Sequence, residues 1–186
     1  MSAVQLFHTG FQAIEKPDIK IGRKNADFGQ GFYLSDAMEF SKRWARERKE
    51  MPTYLNIYEL ETEGLQIKHF ARDTAWFEYI FANRAGHPDL LADVDVIIGP
   101  IANDTLYDTW GIITSGFLQK EQALKLLMIG PLYEQTVIKT ERAAAALRFK
   151  EAMILSHEEI AAYRATVREE EKVFQEQFGQ LLSTMM

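Results

Sequence analysis

Three features of the 186-residue chain carry groups suited to chemistry, and they lie far apart: His8, Tyr33 and the adjacent Glu134-Gln135 pair. An imidazole can donate, accept or carry a proton, a tyrosine offers a rigid aromatic face and a hydroxyl, and a carboxylate and an amide both hydrogen-bond but only one carries charge. Other chemistries fare poorly. With no cysteine there is no thiol nucleophile, disulfide framework or cysteine-zinc site. The histidines (His8, His69, His87, His157) are scattered, without a two-histidine helical spacing or a carboxylate-rich loop. There is no P-loop, and Gly29-Gln30-Gly31 precedes a strand, whereas the dinucleotide fingerprint must open a helix. Ser35 has no base partner close by in sequence. Taken singly, His8 also suits a turn, Tyr33 a core position and Gln135 an edge strand.

The elements that must position these groups begin with Gly22–Ser35. Gly22, Gly29 and Gly31 flank a basic-polar cluster that runs into Phe32-Tyr33-Leu34, too short for a helix and read as a strand. Such a loop and strand suit the wall of a small-molecule site, and equally a turn before a core strand. Val4–Phe7 predicts a strand ending at His8-Thr9-Gly10. The mostly irregular 11–30 connection is of a length that tends to be functional.

Asp36 with Glu39 predicts a helix start, Ala37, Phe40, Trp44 and Ala45 its buried face, the charges through Glu50 its surface, and Pro52 its limit. Thr53–Leu60 predicts a strand, with Leu65–Phe70 as its partner. Asp73-Thr74 opens an aromatic helix ending near Gly86, and Val94–Gly99 predicts a buried strand. A helix over Leu106–Thr114, capped by Ala102–Thr105, another over Lys120–Met128, a strand over Gln135–Lys139 and a short helix over Arg142–Leu147 follow. Strands and helices mix without βαβ regularity, so the fold class is α+β. Ser156-His157-Glu158-Glu159 opens a final helix striped by Ile160, Tyr163, Val167, Phe174, Phe178 and Leu181. That stripe can fold back or dock a partner protein. Residues 1–150 form the main domain and 151–186 a C-terminal amphipathic helix.

Composition is that of an ordinary globular protein, 47% apolar and 26% charged. A net charge of −6 gives no general attraction to nucleic acid or anionic membrane, while leaving room for a locally basic cleft. Met1–Gln5 lacks a signal-peptide start, and no apolar stretch approaches the ~20 residues of a membrane span. A cytoplasmic protein is the expectation.

A strand ending in His8 (Leu6-Phe7-His8-Thr9-Gly10), a later Gly31-Phe32-Tyr33-Leu34-Ser35 and a late Glu134-Gln135-Thr136-Val137-Ile138 resemble, in that order, the His-Tyr-Glu type of ADP-ribosyltransferase. The run Arg23–Leu34 looks like a bacterial domain family of unassigned function in the same clan. Trp76–Tyr79 to Asn83-Arg84, Ile97–Asp104 and Gln135–Thr140 look like that family too, and the match covers about residues 4–150. The resemblance implies a split, strongly bent β-sandwich with surrounding helices, a long C-terminal helix beyond it, and NAD in the cleft. It implies His8, Tyr33 and Gln135 or Glu134 at the reacting centre. Around the dinucleotide it implies His8 on a ribose hydroxyl, Thr9 and Gly10 beside the carboxamide, Tyr33 stacked on nicotinamide, Arg23 and Asn25 at the pyrophosphate, and Phe28 and Ser35 nearby.

The chain departs from that pattern twice. Thr9 precedes Gly10 where the family has glycine first, and the third position holds Gln135, with Glu134 beside it. Adjacent strand residues point to opposite faces, so only one enters the cleft without a bulge. If it is Gln135, an acid from elsewhere (Asp104 or Glu78) or an already nucleophilic acceptor is required. The resemblance implies transfer of ADP-ribose to a protein or nucleic acid by a bacterial toxin, held by an antitoxin that the last helix could bind, or by a defence effector. The alternatives are a catalytically silent binding module and an NAD glycohydrolase.

Overall fold

The computed structural model describes residues 3–102, 116 and 118–185. Alternating apolar residues build two sheets. The first has the order β1-β3-β7, all antiparallel, from β1 (Ala3–Gly10), β3 (Thr53–Glu61) and β7 (Leu147–Leu155). The second has the order β2-β6-β5-β4, from β2 (Phe32–Leu34), β4 (Ile67–His69), β5 (Val96–Pro100) and β6 (Glu134–Ile138). Its β4–β5 pair is parallel and the rest antiparallel. Five helices are described: α1 (Met38–Lys42), α2 (Thr74–Arg84), α3 (Lys120–Leu127), α4 (Glu141–Ala146) and the long α5 (His157–Met185). The expected mixture of strands and helices is present.

The sheets pack through Leu6, Tyr58, Leu60 and Leu147 from one and Phe32, Leu34, Val96 and Ile138 from the other. They also touch edge to edge, where Phe7 and Ser35 exchange backbone hydrogen bonds of 2.8 and 2.9 Å. The opposite face of the second sheet carries Ile97 and Val137, covered by Trp76, Phe77 and Ile80 of α2, Leu126 and Leu127 of α3, and Phe174 and Phe178 of α5. Ile160, near the start of α5, packs with Phe7, Leu55, Ile57 and Leu155 of the first sheet. The stripe on α5 is therefore seated on the domain at both ends, and Arg43, just past α1, forms a bidentate ion pair with Glu170 midway. Ser156 caps α5 through Glu159 N–H at 3.2 Å, as its sequence requires.

Four expectations change. Leu65–Phe70 does not pair with β3; its strand, β4, joins β5 in the other sheet, where Asp95 accepts from the Gln66 N–H at 2.8 Å. The helix expected to run on toward Pro52 stops at Lys42, because the Arg46 carbonyl accepts from Thr53 Oγ and the chain turns back at an Arg48–Met51 bridge. Its N-cap is Ala37, with no side-chain cap from Asp36 or any other residue, and the Ala37 N–H donates to Ser35 Oγ at 3.1 Å. Strand β7 was not expected, because its charged Arg148, Lys150 and Glu151 hide the alternation. The helix expected over Leu106–Thr114 lies outside the described residues.

Candidate functional site

The glycine-rich loop is fixed by its own polar groups. Tyr33 donates its hydroxyl to the Gly29 carbonyl at 2.7 Å and accepts the Phe28 N–H at 3.0 Å. Lys139, almost wholly buried, donates to the Phe28 carbonyl and to Asp89, which also accepts from the Tyr79 hydroxyl at 2.6 Å. Gly29 has φ +73°, and a Cβ there would stand 2.2 Å from an Asp89 carboxylate oxygen. Gly31 leaves a site where a Cβ would meet the Ile138 carbonyl at 2.7 Å. These glycines let the loop lie against protein; a ligand is not needed to explain them.

Where the loop and the two sheets meet, a cavity of about 410 Å³ opens. Its polar side is lined by His8, Thr9, Arg23, Asp27, Tyr33, Ser35 and Gln135, and its apolar side by Phe7, Phe40, Trp44 and Ile101. The volume lies in the range of small-molecule sites. His8, Thr9, Arg23, Tyr33, Ser35 and Gln135 thus line one cavity. The strand register explains the last three. Tyr33 faces Val137 across β2–β6, so Ser35 falls opposite Gln135 on the same face.

Glu134 is a correction. It lies one residue along β6, is exposed, and does not line the cavity. Three other expected ligand-binding residues also lie off the lining. Asn25 is exposed, and Phe28 is fully buried against Phe70 and Tyr79. Gly10 does not line the cavity either; a Cβ there would approach His8 Nε2 to 3.2 Å, so glycine keeps that nitrogen uncrowded.

His8 Nδ1 lies 2.8 Å from the Tyr33 carbonyl. A carbonyl only accepts, so Nδ1 carries the proton and Nε2 is left as an acceptor. Burial lowers the His8 pKa against the raising effect of that bond, which keeps the ring neutral. Burial, reinforced by the Asp27 charge, pushes the Tyr33 hydroxyl far up, so it stays protonated. Gln135 is 8% exposed, and its Nε2 has no hydrogen-bond partner among the described residues. An orphaned buried donor beside a cavity calls for an explanation, and an acceptor on a ligand supplies one.

Asp27 carries no mark of a site role in the sequence and is the one carboxylate among the described residues that line the cavity. It is buried and ion-paired to Arg84 Nε at 2.6 Å, while Asn83 donates to its backbone carbonyl at 3.1 Å. The only available signal was that Asp27 and Arg84 sit in two of the runs that carried the resemblance. Glu78 is instead paired with Lys120 and does not line the cavity, and Asp104 lies outside the described residues. Among the described residues, no three His, Asp or Glu side chains gather as metal ligands, and no helix is long and apolar enough to cross a membrane.

Comparisons with curated proteins and with solved structures return no match. A family model does match, over residues 4–149, the span from β1 to β7 that builds every wall of the cavity. On that match the chain belongs to the DUF3990 family, described as a protein of unknown function.

Proposed function

We propose that the cavity binds NAD and that the protein transfers ADP-ribose from it to a macromolecule. One observation carries this reading: His8, Tyr33, Ser35 and Gln135, brought from distant strands, line one cavity in which the Gln135 amide has a hydrogen-bond donor to spare. The two stacked sheets, in contact edge to edge at Phe7 and Ser35, support the ADP-ribosyltransferase-like sandwich that the sequence resemblance implies.

In this reading His8 Nε2 accepts a ribose hydroxyl, and the amide of Gln135 orients the same sugar. The Tyr33 ring, anchored through its hydroxyl, presents a fixed face to the nicotinamide. Arg23, at the cavity wall, meets the pyrophosphate. Breaking the nicotinamide–ribose bond places positive charge on the sugar, which a nearby fixed negative charge stabilises. Gln135 has none to give. Asp27 has, and Arg84 holds its carboxylate in place at the cavity wall.

A neutral Gln135 also suits a catalytically silent binder, and one experiment separates the two. Labelled NAD is incubated with the protein and cell lysate, beside calorimetry of NAD binding. The wild type transfers label to a macromolecule, and Tyr33→Ala and Gln135→Ala do not. NAD heat without transfer indicates the silent binder, free ADP-ribose alone indicates a glycohydrolase, and no NAD heat at all rejects the cleft assignment.

A further inference from the structure

In a chain of net charge −6, several cations are neutralised by ion pairs. Arg43 is paired with Glu170, Lys120 with Glu78, Arg142 with Asp95 and Arg148 with Glu59 and Glu61. The cations beside the cavity are mixed, since Arg84 is paired with Asp27 and others are not. Arg23 lines one wall, followed by Lys24, and neither has a carboxylate partner among the described residues. Trp44 lines the apolar wall with 38% of its surface exposed. Arg46 and Arg48 follow it. Among the described residues, Arg46 donates to the carbonyls of Arg43 and Ala45, at 3.0 and 2.9 Å. Arg48 sits 5.6 Å over the ring of Phe11, just beyond the strand that carries His8 and Thr9. Arg164 of α5 lies near enough to repel Arg46, which burial already disfavours as a cation. Of the acids nearby, Glu47 is engaged by His157 at 2.9 Å.

Arg46 and Arg48 make no ion pair among the described residues, although Glu47 and Glu50 share their run, so both guanidinium groups are free to meet an anion. The pyrophosphate of a single dinucleotide is served by Arg23, which leaves Lys24, Arg46 and Arg48 over. Trp44, partly exposed at the cavity wall and two residues before Arg46, offers an indole face on which a base can stack. We infer that the acceptor is single-stranded nucleic acid, its phosphates on Arg46 and Arg48 and a base on Trp44. Its chemistry rests on the NAD reading above, whereas its binding does not. A base nitrogen attacks C1′ of the NAD ribose with its lone pair as the C1′–N bond to nicotinamide breaks. Nicotinamide leaves as a neutral molecule with that bond's electron pair, and the proton displaced from the base passes to water.

The test uses the full chain and short fluorescein-labelled single-stranded RNA and DNA oligonucleotides, read by anisotropy across a salt series. Binding is expected to weaken with salt, and the double variant Arg46→Gln/Arg48→Gln to lower the slope of log K against log salt by about 1.4, at roughly 0.7 per lost phosphate contact. That variant keeps the wild-type rate of nicotinamide release without acceptor, since neither arginine lines the NAD cavity. Trp44→Ala weakens binding by about tenfold or more, the loss expected of one stacked base. In the lysate reaction, transferred label is nuclease-sensitive and protease-resistant, and the RNA and DNA arms identify the strand. Absence of oligonucleotide binding, a slope untouched by the double variant, or label carried by protein overturns the inference. Failure of the NAD reading shows separately, as no nicotinamide release from wild type.

Discussion

His8 Nδ1 donates to the Tyr33 carbonyl at 2.8 Å, tying a strand of one sheet to a strand of the other beneath the cavity. The bond fixes the tautomer, so a pH response follows. Burial lowers the His8 pKa from its ordinary value of 6.5, so the unfolded chain binds this proton at a higher pH than the folded one. The His8 contribution to stability is therefore complete above about pH 6.5 and declines as pH falls below it. NAD affinity should hold through that region and fall only at the lower pH where the folded ring charges and Nε2 ceases to accept. Calorimetry across pH, beside His8 ring titration by NMR, checks this. A histidine titrating at its ordinary value would contradict the buried, neutral assignment.

Asp27 and Arg84 test the electrostatics. Their side chains are 10% and 8% exposed, so the two charges are matched in a place where either alone is costly. Asp27→Asn should lower stability by about 3–5 kcal/mol, and Asp27→Asn/Arg84→Gln by less than the sum of the single changes, because the pair leaves together. Urea unfolding of the three variants gives the cycle. Nicotinamide release by the folded double variant should fall on the order of 10²-fold if Asp27 supplies the negative charge. Unchanged release would assign Asp27 to the fold alone.

Gln135 and its neighbour should behave oppositely. Glu134 is exposed and off the cavity, so Glu134→Gln leaves NAD binding and turnover at wild-type values. Gln135→Met removes a buried amide whose nitrogen is unpaired. Without ligand that change should be neutral or stabilising by up to about 1 kcal/mol, as burying an unmet donor is unfavourable. With NAD it should cost about tenfold in affinity, one hydrogen bond to the sugar. A higher melting temperature with weaker NAD binding is the signature of a group kept for a ligand. Thermal melts with and without NAD read both.

The sequence revealed this site unevenly, and the reasons are physical. His8, Tyr33 and Gln135 are legible because each lies in or near the end of a strand bordered by glycine or charge, where period and punctuation agree. Alternation along β6 admits only one of Glu134 and Gln135 to the cleft, and the family resemblance, not the alternation, favours Gln135. Asp27 was hidden because its meaning comes from Arg84, 57 residues away, and no local pattern encodes a long-range ion pair. Asn25 and Phe28 shared its run, and there is no periodicity in an irregular loop to say which side chain turns inward. In β4 the error was one of partner. A short strand has too few residues to specify a sheet, and the carboxylate of Asp95 helped decide it by holding the Gln66 N–H.

Gly29 gives a structural test of the loop. Its φ of +73° disfavours any L side chain, and a Cβ would collide with Asp89 at 2.2 Å, displacing the carboxylate that partners Lys139. Gly29→Ala should cost more than the roughly 1 kcal/mol of a left-handed backbone alone, with further loss from disturbing a buried charge pair. Lys139→Met in the Gly29→Ala background should recover part of the loss, because the displaced carboxylate then has no buried ammonium to abandon. Chemical unfolding of the single and double variants measures the coupling, and strict additivity would show that the backbone alone is responsible.

Asp95 supplies the clearest acid-sensitive element. Its carboxylate is buried and accepts from the Gln66 N–H at 2.8 Å, the Thr140 hydroxyl at 2.5 Å, and Arg142 Nε at 3.1 Å. It thereby joins the start of β4, the start of β5 and the cap of α4, which follows the strand that carries Gln135. The Arg142 guanidinium, with these other donors, outweighs burial and holds the Asp95 pKa down at about 2. A depressed carboxylate pKa means the unfolded chain takes up the proton first as pH falls. The stabilisation is present above about pH 4, where the unfolded carboxylate is ionised too, and is lost as pH drops toward 2. Urea midpoints should therefore hold steady from neutral pH to about 5 as far as this group is concerned, then fall between about 4 and 2. Asp95→Asn should lower the neutral-pH midpoint and shallow that acid slope, since its amide keeps the shape without the charge. An equally steep slope in the variant would move the acid sensitivity elsewhere, with Asp89 beside Lys139 the next carboxylate whose pKa is lowered by its partners.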